Sequence, residues 1–242
     1  MRIVVVGTGT GIGKTHLGVA LVAAAARRGT ACGLKPVESG VPCGEGARGG
    51  GDPDASAGGA GGLLGEDAAA LAEVSSYRMV EPPPYTFVDA VSPHLAARRA
   101  GVAIDLGRVR RWVDSCQAEW VLVETAGALL SPLGPGVTNL DLALALSPDC
   151  WVLVGVDRLG VLHEVTACMQ ILRARGWMPN VVVLSAPEVA DASSGTNAEE
   201  LQTLGIASEV VTLPRAPALS EACLSAAEEV LHRVGLPAPK GA

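Results

Sequence analysis

The sequence predicts an α/β fold, a mostly parallel central sheet with helices on both faces, from three observations. Short apolar runs alternate with helical patterns of roughly 10 to 15 residues along the whole chain, as when crossover helices join parallel strands. The runs at residues 3–6 and Cys150–Val156 carry no polar side chain, as strands covered on both faces require. Hydrophobic residues fill 49% of the 242 positions, aromatics 3% and charged residues 18%. That is apolar surface enough for a core of Val, Leu, Ile and Ala, and it opposes global disorder.

Residues 3–6 open the chain as a strand ended by Gly7. Residues 14–28 read as an Ala- and Leu-rich helix with Gly29 as its C-cap. Residues 31–36 form the second strand, with Lys35 at its end. Residues 44–65 are nearly half glycine. Nothing there offsets the entropy of ordering, so a flexible loop insertion is expected within a single domain spanning 1–242. A helix follows from near Glu66 to about Ser75, then a stiff break at Pro82-Pro83-Pro84. Ser92-Pro93 starts a helix, with Ser as cap and Pro in the first turn. Residues 105–116 form an amphipathic helix and 120–123 a strand, with Glu124 at its C-terminal end. Asn139 or Thr138 caps a helix to about Leu146. Cys150–Val156 is the next strand, 162–174 a helix stopped by Gly176, and 180–184 a strand. A helix (196–204), a strand (209–213) and a helix (219–233) complete the pattern. Ligands of such sheets gather beyond the C-terminal strand ends. Here that selects residues 7–15, 35–39, 124–132 and the loop after Val156.

Net charge is −7, from 25 acidic and 18 basic residues, and basic runs such as Arg27-Arg28 and Arg98-Arg99 are short. No nucleic-acid partner is expected, because backbone affinity comes from clustered Lys and Arg. No apolar stretch approaches the roughly 20 residues of a spanning helix, and no secretory pattern is visible; no membrane partner and a cytoplasmic location are expected. The six cysteines, Cys32, Cys43, Cys116, Cys150, Cys168 and Cys223, form no Cys-x-x-Cys pair and lack metal-site spacing to histidine. They read as free thiols of a reducing compartment.

The strongest local signal is Gly7-Thr8-Gly9-Thr10-Gly11-Ile12-Gly13-Lys14-Thr15, set between a strand and a helix. It reads as a phosphate loop of the Gly-x(4)-Gly-Lys-Thr kind. Gly9, Thr10, Gly11, Ile12 and Gly13 can turn main-chain N–H groups toward phosphates, aided by the helix terminus. Lys14 can reach the β and γ phosphates, and Thr15 can give its hydroxyl to Mg²⁺. The predicted fold is therefore P-loop NTPase-like, with ATP and Mg²⁺ as expected ligands. Glu124, at a strand end facing this loop, is a candidate metal partner. Lys35 can set a second positive charge opposite Lys14, offsetting charge that develops in phosphoryl transfer. The position of Asp67 leaves two readings open, a first-turn residue favoured by the helix dipole or a functional carboxylate. His16, in the first turn after the loop, reads as structural.

In order along the chain, these residues resemble the ATP-dependent dethiobiotin synthases. The opening loop resembles that family's phosphate loop, with Gly9 where the family commonly has Asp. Lys35-Pro36-Val37-Glu38-Ser39-Gly40 is similar to its second-lysine motif, and Glu66-Asp67-Ala68-Ala69-Ala70-Leu71 to the segment of its first acidic metal ligand. Pro84-Tyr85-Thr86-Phe87 and Ser92-Pro93-His94 resemble its Pro-Tyr-x-Phe and Ser-Pro-His elements, and Val123-Glu124 with Ser131-Pro132-Leu133 the ends of its acidic strand-loop motif. The match covers most of residues 3–175 and extends weakly to Pro214.

The resemblance implies ring closure of 7,8-diaminopelargonate with CO₂ and ATP to dethiobiotin, through a carbamate and a carbamic-phosphoric anhydride. It implies that Lys14 and Lys35 hold phosphate and carbamate, that Ser39 bonds near the carbamate, and that Thr15, Asp67 and Glu124 organise Mg²⁺. Ser185 and Pro214 fall at the nucleotide, Ser185 near where the family often has Asn, and Thr125 and Gly127 fall at the diamine. A homodimer is implied, its interface lined by the Pro-Tyr-x-Phe to Ser-Pro-His region. Glu124-Thr125-Ala126-Gly127-Ala128 departs from the family's Glu-Gly-Ala-Gly-Gly, which would strain Thr125 and Ala128 if their φ were positive. Two other readings share the phosphate loop: a related P-loop ATPase or ligase with a different small substrate, and a non-catalytic nucleotide-binding protein.

Overall fold

A computed structural model describes residues 1–42 and 64–236 of the chain. The expected loop at 44–65 lies outside the described residues except for Leu64 and Gly65, as does Cys43.

Six strands form one parallel sheet: β1 (Arg2–Gly7), β2 (Ala31–Leu34), β5 (Trp120–Glu124), β8 (Cys150–Val156), β9 (Val181–Ser185) and β10 (Val210–Leu213). Their spatial order is β10-β9-β8-β1-β5-β2. The strand residues alternate in direction, and both directions are buried. Val4 and Val6 join Val123, Trp151 and Leu153 on one face, and Ile3 and Val5 join Val152, Val154 and Val183 on the other. This double burial is why the strand runs are apolar throughout.

The second face is covered by α1 (Lys14–Ala26), α2 (Glu66–Val74) and α8 (Glu221–Arg233), through Leu17, Leu21, Leu71 and Leu231. The first face is covered by α3 (Pro93–Arg99), α4 (Leu106–Asp114), α5 (Asn139–Ala145), α6 (Val161–Ala174) and α7 (Asn197–Thr203). Two small ribbons escape the sequence pattern. Parallel β3 (Val37–Ser39) and β4 (Tyr85–Phe87) form one, and antiparallel β6 (Pro132–Gly134) and β7 (Val137–Thr138) the other.

Three local expectations change. The second strand stops at Leu34, and the chain breaks at Lys35-Pro36 before β3 begins. Gly29 is not a left-handed cap: the C-cap of α1 is Arg27, with φ −75°, and Gly29 is not among the positive-φ glycines. A Cβ at Gly29 would lie 2.1 Å from Glu119 Oε2, the mobile end of a side chain that can turn aside. Ser92 precedes α3 but makes no side-chain cap; its Oγ lies 2.9 Å from His94 Nδ1. Thr138 is the N-cap of α5, and Asp141 reaches back to accept from Thr138 N at 2.9 Å. All five described cysteines are free. Among the described residues, no helix is long and apolar enough to cross a membrane.

Candidate active site

Strand register assembles the site. β1 pairs with β5 so that Val5 lies opposite Glu124, and β2 pairs with β5 so that Leu34 lies opposite Val123. Lys35, one residue on, is therefore level with Glu124, and both stand beside the loop that leaves β1. The chain uses one side of β1 for β5 and β2 and the other for β8, β9 and β10, which makes the end of β1 the point where ligands collect.

The phosphate loop runs from Gly7 to Thr15. Gly7 and Gly13 bracket five residues, one more than the expected Gly-x(4)-Gly-Lys-Thr string, because Thr8 occupies the place of its first glycine. Gly7 lies close under the loop: a Cβ there would meet Ile12 Cδ1 at 2.6 Å, Lys14 Cδ at 3.0 Å and Gly9 O at 3.3 Å. Gly13 caps α1 with φ 86°, a backbone state that glycine adopts without strain. Lys14 is 5% exposed and its Nζ donates to Gly9 O at 3.0 Å, curling back over the loop.

Four predicted residues meet at the start of α1. Thr15 Oγ1 lies 2.8 Å from Asp67 Oδ1 and 3.0 Å from Glu124 Oε1. Lys35 Nζ donates to Asp67 Oδ2 at 2.7 Å and pairs with Glu124 Oε1. Lys35 is 4% and Glu124 1% exposed, so this ion pair is fully withdrawn from water. Burial and the nearby Lys35 charge lower the Lys14 pKa to about 8. Burial also works against the Lys35 charge, but Glu124 and Asp67 outweigh it and hold its pKa above the ordinary lysine value. Burial works to raise the Asp67 pKa, yet Lys35 and the Thr15 hydroxyl hold it below the usual carboxylate range.

The donor set fits a magnesium ion. Thr15 and the two carboxylates are hard oxygen donors, and Glu124 Oε2 is buried without a hydrogen-bond partner. Mg²⁺ is commonly held by one or two carboxylates together with substrate phosphates.

The remaining predicted residues are placed as follows. Ser39, at the end of β3, donates its hydroxyl to Val91 O at 2.6 Å. Ser185 Oγ lies 2.8 Å from Ile12 O and 3.2 Å from Gly155 O, so its hydroxyl ties the sheet to the phosphate loop. Ser185 and Pro214 line a cavity of about 450 Å³ with Gly11, Gly13, His16 and Arg215. Thr125 is 1% exposed and its Oγ1 donates to Val5 O at 3.2 Å, turned back onto β1. The strain considered for Thr125 and Ala128 is not there: among the described residues Ser147 alone has positive φ without being glycine. Gly127 has φ 83°, and a Cβ on it would meet Ser131 Oγ at 2.8 Å and Thr10 Oγ1 at 3.4 Å. The loop after β5 thus lies directly against the phosphate loop.

Two supporting residues escaped the sequence reading. Glu38 Oε1 accepts from Asp67 N at 2.9 Å and Oε2 from Ala68 N at 3.1 Å. Burial raises the Glu38 pKa against the opposing pull of those amides. Asn139 is fully buried and its Nδ2 donates to Ala128 O at 2.9 Å and to Ala126 O, holding the loop after β5. A carboxylate at an ordinarily variable motif position and a polar residue beside a cap carry no spacing signal that would mark them.

Known proteins resemble the chain along most of its length. A family profile described as "AAA domain" matches residues 1–222. The ATP-dependent dethiobiotin synthetase BioD of Pseudomonas aeruginosa is 39% identical over 229 residues, covering 90% of both chains. The protein of that name from Anaeromyxobacter dehalogenans is 35% identical over 223 residues, covering 88% of this chain and 89% of its own. Among solved structures, the cell division ATPase MinD of Pyrococcus furiosus superimposes with a TM-score of 0.55 at 17% identity, covering 96% of this chain and 98% of its own. The septum site-determining protein MinD from Pyrococcus horikoshii OT3, complexed with Mg-ADP, gives 0.54 at 17% identity, covering 97% of each chain. At these identities the structural likeness establishes the P-loop NTPase-like fold alone.

Proposed function

Because the chain belongs to the ATP-dependent dethiobiotin synthetase family, we propose roles for its residues in that family's reaction. The protein is an ATP- and Mg²⁺-dependent ligase that makes dethiobiotin. The observation that carries the assignment of residues is the convergence of Lys35, Thr15, Asp67 and Glu124 at the mouth of the phosphate loop.

The substrate 7,8-diaminopelargonate brings two adjacent amines. One amine takes up CO₂ as a carbamate and releases a proton. A carbamate oxygen then attacks the γ-phosphorus of ATP, and the bond to ADP breaks. The second amine attacks the carbonyl carbon of the resulting anhydride and releases a proton. The ring closes and inorganic phosphate leaves with the oxygen that formed the anhydride.

Lys14 holds the β and γ phosphates after leaving Gly9 O, and Lys35 faces the carbamate and the transferring phosphoryl group. Both ammonium groups are preorganised in a buried setting, where fixed charge stabilises the transition state most. Ser39 Oγ keeps its O–H donating to Val91 O and accepts a hydrogen bond from the carbamate N–H. Thr15, Asp67 and Glu124 would hold Mg²⁺, which when bound neutralises phosphate charge. Ser185 and Pro214 wall the cavity that takes the nucleoside end. Gly127 lets the loop after β5 approach the diamine without a side chain in the way, and Thr125 contributes its main chain. Once the anhydride exists, ring closure is intramolecular and positioning supplies most of the advantage. We further infer a homodimer in the cytoplasm, with neither nucleic acid nor membrane as partner, and a single domain spanning residues 1–242.

The test uses purified protein with Mg·ATP, bicarbonate and 7,8-diaminopelargonate. Dethiobiotin and phosphate should appear in equal amounts, and Lys14→Ala should abolish both while leaving the unfolding transition in place. ATP turnover that ignores the diamine and yields no ring product would instead favour a P-loop ATPase or a ligase for another substrate.

A further inference from the structure

The strand β3 ends at Ser39 and α2 begins at Glu66, so residues 40–65 separate them in sequence. Yet Asp67, on the first turn of α2, must stay within hydrogen-bond range of Thr15 and Lys35, at 2.8 and 2.7 Å. The N-cap of α2 is Gly65, which has no side chain to satisfy the first amides of its helix. Glu38, on β3, does this from outside. Its carboxylate is 7% exposed and takes the N–H groups of Asp67 and Ala68, one on each oxygen, at 2.9 and 3.1 Å. Gly65 makes room for it, since a Cβ at that position would lie 2.2 Å from the Glu38 carboxyl carbon and 2.3 and 2.5 Å from its oxygens. The pair Glu38 and Gly65 is thus a two-part fitting between a strand and a helix that are distant in sequence.

We propose that Glu38 is a positioning residue: by capping α2 from β3 through the space that Gly65 leaves, its carboxylate fixes Asp67 at the metal-bearing end of the site. This rests on Asp67 being a metal ligand, as assigned above. Glu38 touches neither nucleotide nor metal in this role. A charged acceptor at a helix start is favoured by the free N–H groups and by the helix dipole. Its loss frees the first turn of α2 and with it the Asp67 side chain.

Two measurements separate the cap from its consequence. Amide hydrogen exchange in the protein without nucleotide reads the cap: Glu38→Ala should speed exchange at Asp67 and Ala68 by about tenfold while α8 amides stay unchanged. Glu38→Gln keeps one good acceptor and should fall between. Calorimetric titration reads the consequence. Glu38→Ala should weaken Mg·ATP binding about tenfold, and ATP without metal by no more than about twofold, a split that general loosening of the fold does not produce. Gly65→Ala, whose methyl group invades the carboxylate, should reproduce both effects, and adding it to Glu38→Ala should add little. The proposal is overturned if Glu38→Ala leaves exchange at 67 and 68 unchanged. It is also overturned if binding weakens equally with and without metal, or if Gly65→Ala behaves as the unsubstituted protein. If the unsubstituted protein fails to bind Mg·ATP, the functional reading falls, and the exchange experiment still decides whether Glu38 holds the turn.

Discussion

Lys14 and Lys35 are both buried cations, but their surroundings oppose each other. Lys35 is neutralised by Glu124 and Asp67, whereas Lys14 among the described residues has only Gly9 O at hydrogen-bond distance, and the same carboxylates offset burial and the Lys35 charge only in part. The Lys14 pKa near 8 means that the free protein loses this charge as pH rises through 8. Bound phosphate favours the ammonium form and raises that pKa. Mg·ATP affinity should therefore fall above pH 8 and binding should take up a proton there; calorimetry in buffers of different ionisation enthalpy reads both. No proton uptake above pH 8 would count against Lys14 as the phosphate cation. Lys35 has a structural share as well. Lys35→Met leaves Glu124 charged and buried, at a cost of about 3–5 kcal/mol in denaturant unfolding. The double change Lys35→Met with Glu124→Gln should recover much of that loss while remaining inactive. These two lysines, with Thr15 and Glu124, were legible in the sequence because motif and strand end coincide. Glu38 was not, because its role depends on a helix that begins at Glu66.

At the scale of elements, register does the work that motifs do not reveal. The offset that pairs Leu34 with Val123 decides that Lys35 meets Glu124, and a slip of one residue would turn one of them to the other face. The long strands were readable because runs such as Val4-Val5-Val6 are buried on both sides. The ribbons β3–β4 and β6–β7 were not, because two or three residues are too few to show a period. The loop after β5 is a further case. Its departures at Thr125 and Ala128 suggested strain, yet Thr125 is absorbed by Val5 O, and the positive φ belongs to Gly127. The device that holds this loop is Asn139, whose amide bridges two of its carbonyls. Asn139→Ala should cost about 2 kcal/mol in denaturant unfolding and lower kcat more than it raises the KM for ATP. Unchanged stability together with unchanged kcat would remove Asn139 from the site's support.

For the whole molecule, the two apolar layers on either side of one sheet leave the C-terminal strand edge as the place where polar side chains can be buried in mutual contact. Lys14, Lys35, Glu38 and Glu124 are all less than a tenth exposed; Glu124 and Lys35 stand at or just past the ends of β5 and β2, Lys14 on the first turn of α1, and Glu38 on the neighbouring ribbon. Their arrangement brings two cations and several oxygen donors to the mouth of the phosphate loop. The central claim is therefore that phosphate passes to a carbamate oxygen between Lys14 and Lys35. The most direct test is the fate of that oxygen, using ¹⁸O-labelled bicarbonate, unlabelled ATP and 7,8-diaminopelargonate, with mass analysis of the released phosphate. Transfer through the anhydride predicts one labelled oxygen in each phosphate, formed in step with dethiobiotin. Phosphate free of label, whether or not dethiobiotin is made, would contradict it.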